Sequence, residues 1–119
     1  MTQYLVAIHL PDDFDPGSET QQTRDDISAL NDEMIAAGVR VFVGGLQPPG
    51  KAKSVRAKAG KLVVTDGPFI ETKEHVGGLW VLECGTEAEA LEWGRKAAVA
   101  CRAPVEVRPF YDAAPPLRQ

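Results

Sequence analysis

This chain is short of the residues that usually announce chemistry. Cysteine and histidine occur twice each in 119 residues. Cys84 and Cys101 stand inside apolar segments without C-x-x-C spacing, which reads as two buried, reduced thiols rather than a disulfide or a reactive pair. His9 and His75 are far apart and lack ligand spacing, so no metal site is expected. There is no glycine-rich phosphate loop opening a helix, no G-x-S-x-G and no paired-histidine helix motif. No cofactor is expected either.

Positive charge is also scarce. Thirteen basic residues face seventeen acidic ones, for a net charge of −4, and a surface built to neutralise phosphates needs the opposite balance. Lys51 to Lys61 is the local exception, with five basic residues and no acid. Within it Arg56 and Lys58 alternate with Val55, Ala57 and Ala59, the pattern of an edge strand protected against aggregation. No aromatic is interleaved, which argues against single-stranded nucleic acid. The apolar start, Gln3 to Leu10, has no basic leader and is cut off by Pro11 and two aspartates. Neither a signal peptide nor a membrane span is expected, and the expected location is cytoplasmic.

What remains is ordinary globular composition, 44% hydrophobic and 25% charged. The length suits one domain with a real core, placed at residues 1–111, with 112–119 (DAAPPLRQ) as a loose tail. Tyr4 to Leu10 reads as a strand covered on both faces. Ser18 with Gln21 makes a capping-box pair, and Ile27, Leu30, Met34 and Ala37 follow at helical spacing up to Gly38. Val39 to Leu46 is a second strand, ended by QPPGK. SVRAKAG and KLVVTDG form a hairpin about Ala59-Gly60, and Gly78 to Cys84 is a further strand. Thr86 and Glu89 cap a second helix with a face of small residues, and Val105 to Phe110 closes the series. Two strand-helix-strand halves with an inserted hairpin predict an α+β, ferredoxin-like sandwich, with two helices on one face of a mainly antiparallel sheet. Because Tyr4 to Ile8 and Leu79 to Leu82 are apolar on both alternations, the second face calls for a partner, most economically another copy of the chain.

Chemistry, if present, concentrates in VVTDGPFIETKEHVGGLWVLE, Val63 to Glu83. Pro68 disfavours a helical conformation for the residue before it, so Gly67 is read as extended and Asp66 as a stiffened strand exit. A carboxylate there, in phase with Leu62 and Val64, either works as a general acid or base or ties the loop through hydrogen bonds. Glu71 to His75 is a polar cluster in a loop leading to Gly77-Gly78, and either histidine can shuttle a proton near neutral pH. On the last strand Glu106, Arg108 and Phe110 share one face, where Arg108 pairs with Glu106, with an acid such as Asp66, or with an anionic ligand. The candidate site is therefore Asp66 and His75 as catalytic groups, with Phe69, Glu71, Arg108 and His9 contacting a ligand.

AGVRVFVGGLQPP, VRAKAGKLVVTDGPF, VTDGPFIETKEHVGGLWVLE, EALEWGRKA and VEVRPF together resemble the DGPF group of the YCII-related family, over nearly the whole span from Tyr4 to Phe110. The resemblance implies a ferredoxin-like unit that dimerises into an α+β barrel. It also implies two functional classes. One is enzymatic, because the wider family carries a His-Asp pair in a pocket; the group's own aspartate falls on Asp66, and the histidine stays open between His9 and His75. The other is regulatory, because many members are encoded beside extracytoplasmic-function sigma factors, which makes a sigma factor a candidate partner. After Trp93, GRKAAVACRAP departs from the group's usual shorter helix end, so the pocket wall near Cys101 differs from the pattern.

Overall fold

The computed structural model of the chain describes residues 1–70 and 72–111. β1 (Thr2–Pro11), α1 (Gln21–Ala37), β2 (Arg40–Gly45), β3 (Lys53–Lys58), β4 (Lys61–Asp66), β5 (Glu74–Cys84), α2 (Glu87–Cys101) and β6 (Val105–Pro109) follow in that order. β1, β2, β5 and β6 form a four-stranded sheet in the order β2-β5-β1-β6, with antiparallel pairing throughout. This is the ferredoxin-like arrangement expected of two strand-helix-strand halves. Among the described residues β3 and β4 pair only with each other, in a separate two-stranded sheet. The tail assigned to 112–119 lies outside the described residues.

The helices cover one face. Tyr4 and Val6 of β1 and Trp80, Leu82 and Cys84 of β5 point towards them and are buried, with Leu30 and Met34 of α1 and Ala90 and Ala97 of α2 closing over them. Small residues let α2 approach β6: a Cβ built on Gly94 would lie 2.6 Å from Val107 Cγ2. The large buried group is Trp80, 1% exposed. Its indole nitrogen donates to Asn31 Oδ1 at 2.9 Å, the same oxygen accepts from Arg40 Nη1 at 3.0 Å, and Asn31 Nδ2 donates to the Ile27 carbonyl at 3.0 Å. One asparagine thus ties α1, β2 and β5 together while satisfying the indole donor, which would be costly to bury unpaired.

Several local expectations need correction. The first helix is capped by Thr20, whose hydroxyl accepts from Thr23 N at 3.1 Å, not by Ser18. Ser18 closes a preceding 3-10 turn, Pro16–Ser18, donating instead to the Asp15 carbonyl. In the second helix Thr86 caps as expected, but Glu89 reaches the amide of Gly85 rather than that of Thr86. β5 begins at Glu74, so His75 is a strand residue paired with Leu10 and not part of a loop. Gly67 is not extended: its φ is +95°. Without a Cβ, glycine escapes the steric limits that the pre-proline argument applied. The reversal is held by Gly67 N donating to the Ala52 carbonyl at 2.7 Å and Ser54 Oγ donating to the Gly67 carbonyl at 2.8 Å. The Ala59-Gly60 hairpin is as expected, with positive φ at both residues.

Two stability measurements follow from this packing. Asn31→Leu strands the Trp80 indole donor, and urea unfolding should show a loss of about 1–3 kcal/mol; an unchanged midpoint would mean the indole finds another acceptor. Gly94→Ala raises helix propensity by about 1 kcal/mol, but overpacking against stiff Val107 costs about 1–3 kcal/mol. The expected net effect is destabilisation, and a more stable variant would show slack between α2 and β6.

Candidate functional site

At the end of the sheet where α1 begins, a cleft of about 640 Å³ opens. Ile8, Val43 and Trp80 contribute from the strands, Thr20, Thr23 and Ile27 from the start of α1, and Cys101 to Pro104 from the turn after α2. Its ionisable lining groups are His9, Glu19, Glu74 and Arg102, with Cys101 beside them. The volume lies in the range of small-molecule sites.

Two smaller cavities share residues with this cleft or with each other. One of about 200 Å³ shares Leu10, Pro11, Phe14, Glu19 and Gly77 with it and adds His75. The next, of about 320 Å³, shares His75 and Gln47 to Pro49 with the second and adds Pro68. The result is a trough passing from the α2 end to the DGPF corner. Sequence chemistry explains its shape. The prolines after β2 stop that strand from pairing further, and at Gly77 a Cβ would collide with the Leu10 side chain.

The polar groups of the trough differ in how far they are committed. Arg102 donates to Asp26 Oδ2 at 2.9 Å and to the Ala100 carbonyl at 2.9 Å. Hydrogen bonds from Gln22 and Arg102 hold the Asp26 carboxyl below the usual carboxylate range. Thr20 and Thr23 bond each other through their hydroxyls at 3.0 Å. Glu19 and Glu74 have no ion-pair partner among the described residues. His75 Nε2 lies 3.5 Å from Thr72 Oγ1. Burial, reinforced by Glu19, pushes the Cys101 thiol up to about 11, and burial also raises that of Cys84.

The residues singled out in the sequence fall into three groups. His75 lines the trough, and His9 lines its largest part. On the outer sheet face His9 also approaches Glu106, with Nε2 3.8 Å from Oε1, while Arg108 Nη2 donates to Glu106 Oε2 at 3.0 Å. That hydrogen bond and the arginine's charge hold the Glu106 carboxyl below its ordinary range. Asp66 and Phe69 belong to the hairpin: Asp66 accepts a short hydrogen bond from Lys53 with its side chain 84% exposed, and Arg56 stacks over the Phe69 ring at 4.3 Å. Asp66, Phe69 and Arg108 line none of the three cavities of the trough, and Glu71 lies outside the described residues. Glu19 and Glu74 were not singled out. Glu74 was visible in the polar run before Gly77, whereas nothing local marks Glu19, which reaches the cleft only because α1 starts there. Among the described residues no group of three or more histidine, cysteine or acidic side chains is placed to hold a metal, and no helix is long and apolar enough to cross a membrane.

A two-helix, antiparallel α+β sandwich with a cleft at the sheet end defines the class of protein. The YCII-related domain matches residues 1–113, nearly the full chain. An uncharacterised protein of Rhizobium meliloti (strain 1021) is 36% identical over 94 residues, covering 77% of this chain and 76% of that protein. The chain belongs to the YCII-related family.

The thiols give a direct check on the cleft's interior. With Cys101 near 11, about one thiol in a thousand is ionised at pH 8, and thiolate is the reactive form. Iodoacetamide at pH 8 should therefore label the folded protein far more slowly than the urea-unfolded chain, with Cys101 accelerating as pH rises towards 11. Labelling of Cys101 at the unfolded rate would mean that the cleft wall opens.

Proposed function

We propose that this protein binds a small, mainly apolar molecule carrying a basic or hydrogen-bond-donating group in the trough at the end of its sheet, and that it works as a homodimer closed through the outer sheet face. The observation that carries the binding reading is the combination of an apolar cleft of about 640 Å³ with two carboxylates, Glu19 and Glu74, that no cation among the described residues engages. Convergent polar groups in an apolar concavity are the usual mark of a ligand site. Arg102 does not cancel that charge, because it is tied to Asp26.

In this reading proton transfer belongs to His75, within reach of a molecule lying in the trough, and Asp66 is its candidate partner. Asp66 stands two residues before Pro68, which lines the same cavity as His75. The dimer reading rests on the outer face. Leu5, Leu79 and Val81, each half-buried, alternate with core residues there, and Phe42, 57% exposed, lies opposite Val81. Such a stripe on an antiparallel sheet is favourably covered by a second layer.

Ligand-observed NMR with a panel of amine-bearing and carboxylate-bearing aromatic fragments tests the site. Amines should bind and carboxylates should not. Gly45 lines the cleft, and a Cβ there meets nothing within 4 Å, so Gly45→Phe fills the cleft without straining the sheet. Binding should vanish in Gly45→Phe and weaken about tenfold in Glu74→Gln, the loss of about 1.4 kcal/mol expected for a charge-assisted hydrogen bond. Binding that survives Gly45→Phe would place the ligand elsewhere. For the dimer, sedimentation velocity should show Val81→Asp as a monomer where the unsubstituted protein is a dimer.

A further inference from the structure

β3 and β4 form an arm. Neither strand packs extensively on any other helix or strand of the described chain. The radius of gyration is 16.4 Å, against about 13.5 Å for a compact chain of this length. The pairing Val55↔Val64 and Ala57↔Leu62 puts these four side chains on one face. That face is bare: Val55 is 59% exposed, Val64 62% and Leu62 75%. The other face is polar, with Arg56, Lys58 and Lys61 on it and Phe69 folded under Arg56. An isolated two-stranded hairpin is at best marginally stable in water. One whose exposed face is apolar except for the Lys53–Asp66 pair at its base is expected to be covered by something.

Charge says what covers it. Lys51 to Lys61 carries five positive charges and no negative one, while the whole chain has a net charge of −4, so the rest of the chain carries −9. The arm is therefore complementary in charge to the body of its own kind, with Lys53 on the apolar face and Arg56, Lys58 and Lys61 on the opposite one. We propose that the arm docks on a second copy of this chain, laying Val55, Ala57, Leu62 and Val64 against the partner's body, with Lys53 on that same face and the arm's net positive charge drawing it to the partner's acidic surface. This rests on the homodimer reading given above, and adds to the outer-face contact a second, reciprocal one. Opposite charges bring the arm in, and the apolar face holds it.

A benzophenone amino acid in place of Leu62 tests the contact in the full-length protein. Irradiation should give a covalent dimer on a denaturing gel, with a yield that falls severalfold as ionic strength is raised from about 0.05 M to about 0.5 M, where screening shortens to a few ångströms. The Leu62→Asp, Val64→Asp double variant should keep its far-ultraviolet spectrum, because the arm lies outside the core, yet show a dimer dissociation constant raised at least tenfold. A protein that is dimeric by sedimentation but gives no covalent dimer from position 62 overturns the arm contact and leaves the outer-face dimer standing. A protein monomeric throughout the micromolar range overturns both. Cross-linking to co-purifying nucleic acid instead of protein would show that the basic arm serves a polyanion, and overturns the proposal.

Discussion

The fold depends on the burial of Trp80. Its ring occupies the space between the central strands and α1, and its indole nitrogen is answered by Asn31. Asn31 in turn fixes Arg40 at the start of β2 and the Ile27 carbonyl inside α1. That single polar node sets the distance between helix and sheet at the end where the cleft opens, and Trp80 and Ile27 are both cleft walls. Core packing and site geometry are therefore one constraint on the side of the cleft formed by β5 and α1.

The same sheet explains why the candidate chemistry is dispersed. Alternation along β1 sends Val6 and Ile8 to the helices and Ala7 and His9 to the other side, so His9 sits where the outer face and the cleft mouth meet. β6 alternates likewise and leaves Glu106 and Arg108 outside, paired with each other. The hairpin carries Asp66 and Phe69 away from both, closed by Lys53 and Arg56. Exposed pairs of this kind contribute little to stability. Arg56 and Phe69 shape the arm's polar side, while Lys53 and Asp66 close the base of its apolar side.

Much of the architecture was legible because it rests on local rules. Apolar alternation marked the strands, Gly38 and the Thr86 cap marked helix ends, and Ala59-Gly60 marked the hairpin. Where two local signals competed the reading slipped. Ser18 and Thr20 both offer a hydroxyl before α1, and only the preceding Pro16–Ser18 turn, which occupies Ser18, makes Thr20 the cap. At Gly67 the proline rule and glycine's freedom pointed in opposite directions, and hydrogen bonds from residues about a dozen positions away decided it. His75 read as loop because its neighbours are polar, yet pairing with Leu10, far back in the sequence, makes it strand.

By itself the sequence determined the class of fold, the order of its elements and the membership of the YCII-related family, because periodicity, turn chemistry and a long motif are properties of neighbouring residues. Only the tertiary structure decided which polar groups meet. Glu19 and Glu74 are separated by 54 intervening residues and come to one cleft through the start of α1 and the start of β5. Asp66 and Arg108, which chemistry alone would pair, are held apart because the hairpin leaves the sheet before the last strand joins it. Proximity between distant residues is set by how layers stack, and no local pattern encodes that.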